Sequence, residues 1–295
     1  MIHRRAPAKL NLYLRVLGQR PDGYHEIETL FERIDLADEL TFTAARTLSL
    51  TCSDSSLSCG EDNLVIRAAR ALQQAAGTAA GARIQLTKRI PIAAGLGGGS
   101  SDAAAALSGL NDLWQLGLAR ARLIELAARL GSDAPFFLQD APFAIGRGRG
   151  ERCDPVESAA SLAHVLVVPK ARLATKDVYD NAQFSLTAPT PSLTMIVHAL
   201  SNGSLGELAT GLWNDLQPEA IRRCPSITVL VAQLRDRGCL GVSLSGSGPA
   251  VFGLCRDLSH AQDVAAGLRR DRSFPWRSEI IQTDQPSLIS SPSVR

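Results

Sequence analysis

The 295-residue sequence predicts a two-domain protein of the α+β class. Three observations carry this. Lys9 to Val16 alternates with strand periodicity, a glycine-rich loop at 95–99 runs straight into an alanine-rich helix, and the C-terminal third reads strand, glycine turn, strand, helix, strand. The length suits one large domain or two ordinary ones. With 45% hydrophobic and 20% charged residues, the chain carries enough apolar side chains for a packed core. A net charge of +2 is too small to argue for nucleic acid or an anionic membrane as partner. No apolar run approaches the roughly 20 residues of a membrane span. The six cysteines contain no C-x-x-C, so they are expected to be reduced thiols of a cytoplasmic protein, not a metal site or a disulfide frame.

In the first strand, Leu10, Leu12, Leu14 and Val16 face one way and Lys9, Asn11, Tyr13 and Arg15 the other, which predicts a half-buried strand. Lys9 and Asn11 share a face, either solvated or functional; strands disfavour Asn, and that leaves the functional reading open. Pro21-Asp22-Gly23 marks a hairpin turn, with Tyr24 and His25 at its tip and Phe31 in the returning strand, Ile27 to Leu36. A further strand pair is expected over 39–52, a loop over 53–60, a helix capped by Asp62-Asn63, and a strand from Ala82 to Lys88. The basic residues are lopsided: only Lys9, Lys88, Lys170 and Lys176 are lysines, and the rest are arginines. A chain that prefers the planar guanidinium keeps a lysine where a compact ammonium is needed, or by chance.

Pro91 to Asp102 is the centre of the sequence. Gly95, Gly97, Gly98 and Gly99 are followed by Ser100-Ser101-Asp102 and four alanines. Glycine admits positive φ and close approach, and Ser or Asp before an alanine run marks a helix start. Free amides at the positive end of a helix dipole form an anion site, most often for phosphate. The loop is neither a P-loop, because no Gly-Lys-Ser/Thr follows, nor a dinucleotide fingerprint, because position 100 is Ser. Downstream, a helix ends at Gly131 and Asp133 precedes Ala134-Pro135, either as the N-cap of a short segment or as a site carboxylate. Gly146-x-Gly148-x-Gly150 reads as a connector, and the domain boundary is placed near Pro155. The second half has a buried strand at His164–Val168, a short helix from Thr175 to Tyr179, and two or three helices between Ser192 and Arg237. It closes with strand, turn, strand, helix and strand from 241 to 282, an order that suits a ferredoxin-like layer. From residue 285 the Ser/Pro-rich chain is expected to be a loose tail.

Three stretches, Pro7-Ala8-Lys9-Leu10-Asn11-Leu12, Pro91-x3-Gly95-Leu96-Gly97-Gly98-Gly99-Ser100-Ser101, and Leu244-Ser245-Gly246-Ser247-Gly248-Pro249, resemble in order and spacing the three signatures of the GHMP small-molecule kinases. Asp22-Gly23-Tyr24-His25 and Gly131-Ser132-Asp133-Ala134-Pro135 are similar to the branch of that family that phosphorylates the 2-hydroxyl of a methylerythritol carried on cytidine diphosphate, in non-mevalonate isoprenoid synthesis. The resemblance spans about residues 3–283. It implies a ribosomal protein S5 domain 2-like ATP-binding domain (1–155), a ferredoxin-like substrate domain (156–284) and the tail (285–295).

By the same resemblance, Asp133 is the catalytic aspartate and Lys9 its partner. Pro91, Gly95, Leu96, Gly97, Gly98, Gly99, Ser100 and Ser101 wrap the ATP phosphates, and Asn63 and Lys88 contact adenosine. Tyr24 and Tyr179 cover the two faces of cytosine, His25 hydrogen-bonds the base, and Phe31 closes the edge of its pocket. Asn11 and Thr175 touch the diphosphate or the erythritol, and Gly246 and Ser247 shape the second-domain wall. Mg²⁺ is expected as the counter-ion of ATP, with no protein ligand assigned. The expected partner is a small-molecule cytidine diphosphate substrate, with no nucleic acid or membrane, on a monomer or weak homodimer. Two alternatives remain beside this one. Another GHMP kinase, for homoserine or mevalonate, would not need the Tyr24–His25 clamp, and a regulatory protein that binds nucleotide would not need Lys9 and Asp133.

Overall fold

The computed structural model describes residues 1–184, 190–271 and 274–284; the expected tail, 285–295, lies outside them. In chain order the first half runs β1 (Ile2–Gln19), β2 (His25–Ala45), β3 (Ser49–Cys52), α1 (Leu64–Ala76), β4 (Gly81–Thr87), α2 (Gly98–Leu113), α3 (Arg120–Leu130), a 3-10 turn (Ala134–Leu138), β5 (Phe143–Gly148) and β6 (Arg152–Val156). The second runs β7 (Ala163–Val167), α4 (Thr175–Asn181), α5 (Leu193–Asn202), α6 (Leu205–Gly211), β8 (Trp213–Asn214), α7 (Gln217–Arg223), α8 (Ser226–Asp236), β9 (Gly241–Leu244), β10 (Val251–Cys255), α9 (Leu258–Arg270) and β11 (Ser278–Gln282).

Among the described residues these strands form two sheets. The larger is seven-stranded, ordered β3-β4-β2-β1-β8, with β5 and β6 attached along the N-terminal part of β2. The smaller is antiparallel, ordered β11-β7-β10-β9. Around it the sequence β7, helices, β9, β10, α9, β11 gives the split βαβ pattern expected from the C-terminal third. The change of sheet falls between Val156 and Ala163, and Pro155 lies within β6.

Several local expectations change. The 39–52 stretch is not a strand pair: β2 continues to Ala45, β4 lies antiparallel to it, and β3 pairs parallel to β4. The β1 stretch is not half-buried. Lys9, Asn11 and Tyr13 are as buried as the leucines between them, because helix α2 packs on β1 from one side and the second half of the chain covers the rest. Bulges at Pro7/Ala8, Asn11/Tyr13 and Val16/Gly18 also break the two-residue period. The Gly146–Gly150 stretch is no connector but the hairpin joining β5 to β6. Four helices, α5 to α8, occupy the region where two or three are expected, because Gly203 ends α5 in a left-handed cap and Pro218 and Pro225 open the next turns. Helix α2 is capped by Gly97 at φ 71 with no side-chain cap bond, so Ser100, Ser101 and Asp102 lie inside the helix and its first amides stay free.

The two sheets are joined by a buried polar link. The Glu32 carboxylate on β2 is 2.8 Å from His164 Nε2 on β7 and accepts from Thr283 Oγ1 at 2.7 Å, with Glu32 and His164 fully buried. Removing one partner of a buried hydrogen-bonded link leaves the other unsatisfied, at a cost of roughly 1–3 kcal/mol. His164→Leu is therefore expected to lose about that much stability in urea unfolding, and Glu32→Gln, which keeps an oxygen acceptor in the link, less; equal losses would show that the retained hydrogen bond contributes nothing.

Candidate active site

A cleft of about 990 Å³ opens where the glycine loop, the start of β1, the β1–β2 hairpin and the second half of the chain meet. The loop enters it with Gly95 at φ 80 and Gly97 at φ 71, conformations that side chains rarely adopt. A Cβ at Gly95 would collide with the Ser245 carbonyl, and one at Gly97 would come within 3.0 Å of the Lys9 stem. Three bonds hold the loop in place: Lys9 N donates to Leu96 O at 3.0 Å, Ala250 N to Ala94 O at 3.2 Å, and Ser245 Oγ to Gly95 O at 3.0 Å.

Beside the loop lie the ammonium and carboxylate expected to act together. Lys9 Nζ is 3.3 Å from Asp133 Oδ2 and donates to Asn11 Oδ1 at 2.5 Å. Asn11 is oriented in turn, since its Nδ2 donates to Thr29 Oγ1 at 2.8 Å and its backbone amide to Ser245 Oγ at 3.3 Å. Lys9 is 3% exposed, whereas the Asp133 side chain keeps 26% of its surface. Asp133 stands at the N-cap position of the 3-10 turn but makes no capping bond. Its carboxylate is thus spent neither on the backbone nor wholly on Lys9, and it faces the cleft. A carboxylate held beside an ammonium can take the proton of an alcohol brought to it.

At the hairpin end of the cleft, Tyr24 is 52% exposed and His25 packs against Tyr179 with ring centroids 5.2 Å apart. Burial raises the Tyr179 hydroxyl well above the ordinary tyrosine range, helped by the charge of Asp133, so it stays a neutral group. On the opposite wall, Thr175 and Ser247 share a hydroxyl–hydroxyl bond of 2.9 Å, with Gly246 between Ser247 and Gly95. Asn63 also lines the cleft, but it is occupied as the N-cap of α1: its Oδ1 accepts from Val65 N at 2.9 Å and its Nδ2 donates to Ser58 O at 2.6 Å. Pro91, Gly98, Gly99 and Ser100 complete the loop wall.

Two expected residues do not line the cleft. Phe31 is fully buried and does not close a base pocket. Its ring stacks on Phe136 at 5.0 Å and lies under Lys9 Nζ at 5.5 Å, because β5 covers that part of β2. It backs the lysine and does not touch the cavity. Ser101 is buried inside α2, its hydroxyl without a hydrogen-bond partner. Lys88 does line the cleft, but its ammonium is engaged by Asp38 and by Asp102, the latter at 2.7 Å. Sequence reading also missed Arg149. Its guanidinium stacks 4.6 Å from the Tyr24 ring centre, on the β5–β6 hairpin. An arginine between Gly148 and Gly150 was the available signal, hidden because the neighbour across the cleft is far away in sequence.

Among the described residues no group of three or more His, Cys, Asp or Glu side chains could hold a metal ion. No helix among those residues is long and apolar enough to cross a membrane.

The sequence signatures, the two-sheet fold and this cleft define a small-molecule kinase of the GHMP class: residues 63–145 match the GHMP kinases N terminal domain and residues 196–272 the GHMP kinases C terminal domain. A homoserine kinase from Cytophaga hutchinsonii shares the fold, with TM-score 0.74 at 19% identity over 96% of this chain and 94% of that one. The 4-diphosphocytidyl-2-C-methyl-D-erythritol kinase of Pelotomaculum thermopropionicum is 45% identical over 90% of this chain and 93% of its own length. A crystal structure of 4-(cytidine 5'-diphospho)-2C-methyl-D-erythritol kinase matches with TM-score 0.80 at 38% identity, over 95% of this chain and 98% of that one. The chain belongs to the 4-diphosphocytidyl-2-C-methyl-D-erythritol kinase family.

The Lys88 cluster makes a pH-dependent contribution to stability. Burial pushes Asp102 up to about 7, with the Lys88 ammonium opposing and Asp38 adding to the rise. Burial pulls Lys88 down, but its two carboxylates outweigh that and hold it above its ordinary value. A carboxyl whose pKa is higher folded than unfolded binds more protons in the fold between about pH 4 and 7, so stability is lost as pH rises through that window. Asp102→Asn removes this loss: between pH 5 and pH 8 its Tm is expected to fall less than that of the wild type. A constant Tm offset across that range would contradict the assignment.

Proposed function

We propose that the protein transfers the γ-phosphoryl group of MgATP to the 2-hydroxyl of 4-diphosphocytidyl-2-C-methyl-D-erythritol. The observation that carries this reading is the Lys9–Asp133 pair, 3.3 Å apart, opening on the same cleft as a helix N-terminus that has no side-chain cap bond and follows a glycine loop. Phosphoryl transfer asks mainly for positioning and charge stabilisation. The amides of Gly97 to Ser100 and the dipole of α2 receive the nucleotide's phosphates, with Mg²⁺ supplying charge neutralisation as part of the nucleotide substrate. Asp133 accepts the proton of the attacking hydroxyl. Lys9, fixed by Asn11 and backed by Phe31, orients Asp133 and faces the transferring group.

The cytidyl group lies between the hairpin and α4. Tyr24, braced by Arg149, and Tyr179, braced by His25, supply the flat surfaces, and His25 reads the base edge. Thr175, Ser247 and Asn11 surround the diphosphate and the polyol. Asn63 and Lys88 form the adenosine side of the cleft.

An ATP-consumption assay against the cytidyl substrate, mevalonate and homoserine tests the reading; turnover confined to either of the last two would overturn it. Asp133→Asn is expected to lower kcat on the order of a thousandfold while leaving ATP and substrate dissociation constants nearly unchanged. Normal turnover in that variant removes Asp133 from the mechanism. His25→Ala is expected to raise the KM for the cytidyl substrate roughly tenfold with little change in the KM for ATP. An unaltered cytidyl KM would refute the base contact.

A further inference from the structure

The Lys88 ion-pair cluster lies beneath the glycine loop. Asp38, on β2, is fully buried. Its Oδ1 accepts the backbone amides of Arg89 at 2.5 Å and Ile90 at 2.9 Å, the two residues that lead the chain into the loop. Its Oδ2 accepts from Lys88 Nζ. The same ammonium donates to Asp102 Oδ2 at 2.7 Å, on the helix that leaves the loop. One lysine thus joins a carboxylate at the loop's entrance to a carboxylate at its exit. It does so directly under the loop: a Cβ on Gly98 would sit 3.4 Å from Lys88 Nζ.

A purely structural role explains this cluster poorly. Charges taken out of water are expensive, and well-packed apolar groups of similar volume hold a core as well or better. Nor is the cluster closed on itself. Asp102 Oδ1 is buried without a hydrogen-bond partner, and Asp102 lines the cleft. Directional bonds at both ends of a loop do what apolar packing cannot: they fix the distance between the ends and the direction of the amides in between.

We propose that Asp38 and Asp102 are positioning residues for the nucleotide, acting through Lys88 to clamp the entrance and exit of the glycine loop so that its amides are preset for the phosphates. The inference rests on the reading of that loop as the ATP site. Preorganised donors bind charge without reorganising, so loosening the clamp weakens nucleotide binding and leaves the cytidyl end of the cleft alone.

The test compares kcat, both KM values and Tm for the wild type, Asp102→Asn, Lys88→Met and the triple variant Asp38→Asn/Lys88→Met/Asp102→Asn. Lys88→Met leaves two buried carboxylates without their cation, so its Tm falls; the triple variant carries no stranded charge and regains it. In all three variants the KM for ATP is expected to rise about tenfold while that for the cytidyl substrate stays within about twofold, the scale of one charge-assisted hydrogen bond. A triple variant that regains both Tm and the wild-type KM for ATP overturns the proposal, because the cluster is then only structural. So does a rise of both KM values together. Should the triple variant not fold, Asp102→Asn alone decides on the same two KM values. A wild-type protein that consumes no ATP with the cytidyl substrate overturns the parent reading and the inference together, whereas normal wild-type turnover with unshifted variants overturns the inference alone.

Discussion

A buried ammonium needs partners on every side that water has left, and Lys9 Nζ sits where those partners converge. Asn11 comes from the same strand, Asp133 from the turn after α3, and the Phe31 ring from the paired strand beneath. Glycines at 97 and 246 leave room for the side chain, since a Cβ at either would come within 3.2 Å of it. Move any of these segments and the lysine either loses its bonds or is crowded out. The bulge between Asn11 and Tyr13 breaks the two-residue period there, so Tyr13 does not follow Lys9 and Asn11 into the cleft and is buried instead.

Two of the chain's four lysines lie under the glycine loop, one on each side of it. Lys9 faces the cleft with a carboxylate that is partly open, while Lys88 is enclosed between two carboxylates. The other two, Lys170 and Lys176, are exposed. A Cβ on Gly97 would come within 3.0 Å of the Lys9 stem and one on Gly98 within 3.4 Å of Lys88 Nζ, so both lysines occupy space that only glycine leaves open.

The cleft depends on both halves of the chain. Short strand β8 pairs with β1, and from it Asn214 donates to the carbonyls of Leu244 and Gly246 at 2.8 Å each. That fixes the 244–248 turn against the loop, where Ser245 bonds Gly95 and Ser247 bonds Thr175. The second half thereby supplies a wall of the cleft as well as a separate sheet. The Glu32–His164 link and the bridge between Ile34 and Thr283 tie the two sheets behind it.

The sequence by itself determined what depends on neighbours along the chain. These are the glycine loop opening a helix, the shared face of Lys9 and Asn11, the hairpin carrying Tyr24 and His25, and the order of elements along the chain from 241 to 282. Turn chemistry and side-chain periodicity act over a few residues, so they are legible there. Only the tertiary structure decided which neighbours meet across long separations. It buried Phe31 behind Lys9, locked Lys88 between Asp38 and Asp102, spent Asn63 on a helix cap and brought Arg149 onto Tyr24. It also slid β4 between β2 and β3 and covered both faces of β1. The physical reason is the same in each case: burial and ion pairing are properties of a place in the folded chain, and residues dozens of positions apart share that place only once the strands have paired.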